Sequence, residues 1–305
     1  MHPAFSVIFF TTMSGAGYGL WFWLGVTSAT APLPRTTALI ALTIGFALTS
    51  LGLLSSTLHL GQPLRAWRAF SQWRSSWLSR EGVASMACLL PAAAFALATW
   101  QGQDSRLAGV VLAVLSLATV ACTAMIYSSL KPIPAWRHPL VLPVYLVFAL
   151  FTGGLLTEAV IAVLGYGAHN MAGLGAIAGG FVLWRLKRRY WQDVDRDQMP
   201  ASRASALGLP SDRTVRVFEH PHTEANYLTK EMGFVLARKH SRKLRVIAVV
   251  LFALVPALCA LPVWLLPHID AAPWLTIAAV STLLGAFVER WLFFAEARHV
   301  VTLYY

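Results

Sequence analysis

The chain has 305 residues, of which 57% are hydrophobic and only 12% charged. A soluble domain carries about 25% charged residues, so this composition excludes an ordinary soluble enzyme. A formal net charge of +11 would suggest nucleic acid as partner of a soluble protein; here the charge follows the membrane, and no nucleic-acid partner is expected.

Eight apolar stretches meet or approach the roughly 20 residues needed to cross a hydrocarbon core. They run roughly over 5–27, 36–58, 83–101, 107–127, 139–165, 168–186, 244–265 and 273–295. Successive loops then alternate sides. Of the 24 Lys/Arg residues, one side receives only Arg35 and Arg106. All the others fall on the opposite side, and cationic loops are retained in the cytoplasm. The fold class expected is an all-α integral membrane protein with eight transmembrane helices and both termini cytoplasmic. Localisation in a bacterial plasma (inner) membrane follows, with most loops inside.

The first stretch lacks a basic leading region, so it is expected to remain as a helix and not to be cleaved as a signal peptide. Pro32 and Pro34 with Arg35 make the first turn. Gly61 and Pro63 stop the second helix, because Gly suits a left-handed cap and Pro cannot continue the helix. Ser79 is the expected N-cap of the third. Pro132 and Pro134 punctuate the loop before the fifth. Gly165 and Gly167 mark the turn after it, and Pro267 and Pro273 bracket the last outer turn, with His268 and Asp270 inside it. Loops this short make consecutive helices antiparallel neighbours.

The exception is the polar stretch 187–243. Loops of that length without a role are uncommon. It opens on Lys187, Arg188 and Arg189 beside Tyr190 and Trp191, residues that suit a headgroup boundary. Pro200, Pro210 and Pro221 break its middle. Residues 223–240 read as an amphipathic helix, with Leu228, Met232, Val235 and Leu236 on one face. The chain thus divides into a six-helix part (1–186), a cytoplasmic loop (187–243) and two final membrane helices (244–305).

Cys88, Cys122 and Cys259 each lie inside an apolar stretch, with no C-x-x-C pair. Neither a disulfide framework nor a cysteine-ligated iron–sulfur cluster is expected from them. A bis-histidine haem needs paired histidines at membrane depth, whereas nearly all 9 histidines fall in loops or at span ends. No metal ligands are assigned. Any electrons must come from another polypeptide.

Polar residues at span ends carry the chemistry that is left. His59 ends the second helix and Glu81 opens the third, joined by one inner loop. Each alone could be a charge favoured by a helix terminus. Together they place a base and an acid at the mouth of adjacent antiparallel helices, as quinone chemistry requires. A quinone tail partitions into lipid, and its head gains or loses two protons with two electrons. Histidine titrates near the working pH.

The joining loop carries Arg65, Trp67, Arg68, Trp73, Arg74, Trp77 and Arg80. These read either as an interfacial anchor or as a cationic, aromatic docking surface. Arg65, and Tyr127 at the inner end of the fourth helix, are further candidates for contact with a ring oxygen. Gly15 and Gly19 match the small-x-x-x-small pattern of close helix contact. Glu158 falls inside the fifth helix, an expensive place for a carboxyl. Glu289, Arg290, Glu296, Arg298 and His299 cluster near the inner end of the last helix, where ion-paired anchoring is expected.

Several segments carry a family resemblance. They are His2-Pro3-Ala4-Phe5-Ser6-Val7-Ile8-Phe9-Phe10-Thr11-Thr12, Ser56-Thr57-Leu58-His59-Leu60-Gly61, Ser79-Arg80-Glu81 and Arg290-Trp291-Leu292-Phe293-Phe294-Ala295-Glu296-Ala297. They resemble the anchor subunits of dimethyl sulfoxide reductase-type molybdoenzymes. The resemblance implies an eight-helix, haem-free subunit that binds ubiquinone or menaquinone. It implies two partners, a four-cluster iron–sulfur subunit and a large molybdopterin catalytic subunit. The family's quinone-associated histidine corresponds to His59, and its acidic partner to Glu81. The long inner loop, including 218–228, looks most like the branch serving cytoplasmic sulfite-oxidising complexes.

The expectation is therefore a quinone-reactive membrane anchor of a sulfite:quinone or dimethyl sulfoxide:quinol type complex. Its quinone is held by His59, Arg65, Glu81 and Tyr127, and His59 and Glu81 exchange the protons. A multi-span transporter and a purely structural anchor remain the other classes. Against a transporter, no inverted repeat or paired broken helices are found.

Overall fold

A computed structural model describes residues 4–57, 62–166, 170–196, 202–210, 212–219, 236–266 and 268–303. His59, Gly61, Gly167, Pro221, Pro267 and the greater part of the amphipathic stretch, 223–235, lie outside the described residues.

Among the described residues the chain is helical and contains no strand. The long helices are α1 (Phe5–Thr30), α2 (Arg35–Thr57), α3 (Trp77–Gln101), α4 (Arg106–Ser128), α5 (Val141–Val163) and α6 (Asn170–Arg196). A single turn, α7 (Arg203–Ala206), follows. Then α8 (Leu236–Val249), a π-helical turn (Val250–Leu254) and α9 (Val255–Leu265) form one rod, and α10 (Ala271–Ala295) completes the set. The wide turn sits immediately before Pro256, which has no N–H to give to the helix ladder.

Among the described residues, seven helices are long and apolar enough to cross a membrane: α1 to α5, the rod over His240–Leu265, and α10. The sixth predicted span is the difference. Helix α6 is 27 residues long, but its apolar run stops at Trp184, where Arg185 begins a basic stretch. Its charged end is helical through Arg196, so the predicted start of the polar loop at Lys187 is corrected: those residues extend the helix.

Helix α1 is the hub. It packs against α2, α4, α5 and α10. It is buried on most sides, and such a helix is apolar all round. Its glycines set the close approaches. A Cβ on Gly19 would fall 1.8 Å from the Ala149 carbonyl oxygen, and one on Gly25 would fall 2.2 Å from that of Gly109. Gly15, expected to share this role, has no such neighbour within 4 Å; it borders an internal cavity instead. Helix α6 packs along α9 and α5, and α10 along α5 and α9, so the C-terminal helices are built into the same core as the first six.

The N-cap of α3 is also corrected. Ser76 holds the extended cap position, and Ser79 is buried inside the first turn. Before it, residues Pro63–Gln72 form a 3-10 helix. Its Phe70 lies on Gly82 of α3, where an added Cβ would meet the ring at 3.1 Å.

Candidate functional site

Glu81 sits one turn into α3, where the entering chain has turned its side chain into the bundle. Only 4% of it is exposed. The Thr123 hydroxyl of α4 donates to Glu81 Oε1 at 2.8 Å. The same hydroxyl has a second acceptor, the Thr119 carbonyl, at 3.1 Å. Glu81 also lies within electrostatic range of Tyr127 and Tyr145.

Tyr127 is buried at the inner end of α4 in an aromatic cluster. Its ring meets Trp136, Phe293 and Phe294 edge-on and stacks on Tyr145 at 6.0 Å. Two hydrogen bonds fix this wall: Trp136 Nε1 donates to the Phe293 carbonyl at 3.0 Å, and the Tyr190 hydroxyl donates to that of Ala135 at 3.0 Å.

Of the four predicted site residues, the structure therefore brings Glu81 and Tyr127 to one region of the bundle. Arg65 stands on the exposed face of the 3-10 helix, and among the described residues no hydrogen bond or ion pair joins its side chain to Glu81. His59 lies outside the described residues. Arg65, Trp67, Arg68, Trp73 and Arg74 are exposed together, so the loop presents cations and indoles on one surface. Arg80 closes its end, stacking over Trp77 and donating to the carbonyls of Trp73 and Arg74 at 3.0 and 2.7 Å.

Beside this wall lies a buried charge cluster in which sequence reading expected Glu289 and Arg290 but missed Lys187. Lys187, Glu289 and Arg290 are 1%, 0% and 3% exposed. Lys187 Nζ lies 2.5 Å from Glu289 Oε1, and Arg290 Nη1 lies 3.1 Å from Oε2. The Arg290 guanidinium also lies 3.6 Å from the centroid of the Tyr145 ring, and the Lys187 ammonium 4.1 Å from that of Tyr190. Lys187 was expected at a headgroup boundary. The structure turns it inward instead, because the packing of α6 leaves Glu289 as its partner. The periodic clue was present: Leu183, Lys187 and Tyr190 share one helical face, and all three are buried.

Nearer the surface, Arg245 of α8 donates to Glu296 at 2.9 Å and grips Asp195 with both terminal nitrogens at 2.7 and 2.9 Å. Burial pushes the Glu296 carboxyl above the usual carboxylate range, and Arg245 opposes that shift. The expected ion-paired anchoring at the end of the last helix is thus present for Glu289, Arg290 and Glu296. Glu158 is half-buried in α5.

A small cavity of about 20 Å³ lies between α1, α4, α5 and α10, with Thr12, Thr123, Tyr145 and Arg290 among its lining residues. That is room for about one water molecule. The cysteines are free, and no group of three or more His, Cys, Asp or Glu among the described residues could hold a metal ion.

A family described as "DMSO reductase anchor subunit (DmsC)" matches residues 1–295. A sulfite dehydrogenase subunit of Allochromatium vinosum is 32% identical over 329 aligned positions, covering 100% of this chain and 99% of that protein.

Proposed function

The chain belongs to the DMSO reductase anchor subunit family, and from that premise we propose that it is the quinone-reactive anchor of a sulfite-oxidising molybdoenzyme complex. In this reading it passes electrons between an iron–sulfur subunit and the quinone pool of a bacterial inner membrane. The relative named a sulfite dehydrogenase subunit, matched over nearly the whole of both chains, favours sulfite over dimethyl sulfoxide as substrate of the complex.

The observation that carries the quinone assignment is Glu81: an ionisable carboxyl buried at a helix start and hydrogen-bonded to Thr123, in the same region as the Tyr127 phenol. Buried acids without a purpose are rare in membrane helices. A bound quinone supplies two-electron chemistry coupled to two protons. His59 hydrogen-bonds one ring oxygen and exchanges its proton. Glu81 carries protons to the inner boundary, and Tyr127 is the further hydroxyl within that aromatic wall. This donor and acceptor set fits a quinone head. A cavity of about 20 Å³ does not admit a ring, so the head group meets Glu81 outside that cavity, at the inner end of α3. Arg65 serves the exposed docking surface that the 3-10 helix offers the iron–sulfur subunit, and the molybdopterin subunit lies beyond it.

Topology completes the reading. Helix α6 is the eighth span, supported by its packing along α5 and α9. Both termini and the cationic loops face the cytoplasm. Proton exchange on that side alone makes turnover electroneutral.

The test is to co-purify the complex and assay sulfite oxidation with ubiquinone and menaquinone analogues, and dimethyl sulfoxide reduction with their quinols. Sulfite-dependent quinone reduction is expected. Turnover with a soluble acceptor but with none of the quinones would leave a structural anchor.

A further inference from the structure

The cavity beside Arg290 has an unusual census of hydrogen-bonding groups. Three residues on its wall each carry a buried polar atom with no hydrogen-bond partner among the described residues: Thr12 Oγ1, Tyr145 Oη and Arg290 Nη1. All three side chains are more than nine-tenths buried. Arg290 Nη1 stands near Glu289 as an ion pair but makes no hydrogen bond there. It can only donate, whereas the two hydroxyls can donate or accept.

The other hydroxyls on the wall have already committed their hydrogens. Ser14 donates to the Phe10 carbonyl at 2.6 Å, Thr152 to that of Phe148 at 2.7 Å, and Thr123 to Glu81 at 2.8 Å. What they turn toward the cavity is lone-pair density. The occupant must therefore accept from Arg290 and donate to hydroxyl oxygens. A small anion can accept from Arg290 and from the Thr12 and Tyr145 hydroxyls, but it is repelled by the lone pairs of Ser14, Thr123 and Thr152. An apolar group satisfies neither. Water satisfies both, and the cavity of about 20 Å³ exceeds the roughly 10–15 Å³ that one water needs.

We propose that this cavity is a binding site for one ordered water, which accepts from Arg290 and donates to Thr123, making Thr123 the residue that positions the Glu81 carboxylate. Every hydrogen in the chain then points toward Glu81: Arg290 to water, water to Thr123, Thr123 to Glu81. The first and last of these bonds, at the guanidinium and the carboxylate, are of the strong charge-assisted kind. The second acceptor of Thr123, the Thr119 carbonyl at 3.1 Å, lets the arrangement follow a change at Glu81. When Glu81 takes up a proton, its own O–H donates to Thr123, and the Thr123 hydrogen turns to Thr119. Thr123 thus serves both protonation states without a helix moving. The inference rests on the reading of Glu81 as the proton-exchanging acid.

The experiment uses the whole complex in membranes or nanodiscs. Thr123→Val keeps the shape and removes the hydroxyl; Thr123→Ser keeps the hydroxyl. With Thr123→Val, quinone-linked kcat is expected to fall about tenfold, less than the roughly 10²–10⁴-fold that a positioned acid–base group itself contributes, because Thr123 acts through Glu81. Its pH profile should depart from that of the wild type, while activity with a soluble acceptor is unchanged. Thr123→Ser should restore rate and profile. A wild-type rate and profile in Thr123→Val, alongside a slowed Glu81→Gln, would overturn the proposal and leave Glu81 in place. A Glu81→Gln variant with normal quinone turnover would instead overturn the reading of Glu81 itself. A cryo-EM map fine enough to show water decides the site independently of any variant. Density within hydrogen-bonding distance of Arg290 Nη1 and Tyr145 Oη, unchanged in chloride-free buffer, is expected. A dry cavity, or density that disappears with chloride, would overturn the proposal.

Discussion

Lys187 and Glu289 form an ion pair at 2.5 Å in which neither side chain is more than 1% exposed. It joins α6 to α10, and Arg290 completes it from the other side of the carboxylate. Removing one partner of a buried pair strands the other charge, at a cost of about 3–5 kcal/mol. Glu289→Gln leaves two cations facing one amide. The variant complex should unfold at clearly lower temperature and accumulate poorly in membranes. A melting curve matching the wild type would show that the pair contributes nothing to stability.

His59→Ala should lower quinone-linked turnover by about 10²-fold or more, the scale for a positioned acid–base group. Activity with a soluble acceptor bypasses this chain and should persist. Normal quinone turnover would reduce His59 to a cation at a helix end.

Glu81→Gln preserves size and the acceptor for Thr123 but cannot titrate. The complex should assemble, turn over quinone more slowly, and lose part of its pH dependence. An unaltered pH–rate profile, measured with quinone as acceptor, would assign Glu81 to helix-terminus stabilisation.

Gly19 leaves no room for a side chain, since a Cβ would fall 1.8 Å from the Ala149 carbonyl oxygen. Gly19→Val must separate α1 from α5, and overpacking of this kind costs about 1–3 kcal/mol. Gly15, with nothing within 4 Å of an added Cβ, should tolerate Ala with little loss. Comparing membrane accumulation of Gly19→Val and Gly15→Ala checks both, and equal behaviour would contradict the packing described for α1.

The exposed cations Arg65, Arg68 and Arg74 should govern partner retention. Replacing all three with Glu should release the catalytic subunits into the soluble fraction and leave the anchor inserted. The release should be stronger at low salt, where charge repulsion is less screened. Full retention in washed membranes would move docking to the long inner loop.

Hydropathy is summed along the chain, so the membrane class and seven of the expected spans were legible from composition alone. Family membership was legible in short segments such as Ser79-Arg80-Glu81. The region holding Glu81 and Tyr127 followed from helix ends, because antiparallel neighbours bring those ends together. Orientation around each helix axis was not legible. Lys187 in sequence is one of several basic residues after an apolar run, and only the packing of α6 turned it onto Glu289. Gly15 and Gly19 share a spacing pattern, yet one meets α5 and the other a cavity. Thr123 gave no signal in sequence, since a threonine in an apolar helix ordinarily bonds its own backbone. The tertiary structure decided these cases because burial of a charge or a hydroxyl depends on which side chains arrive from other helices.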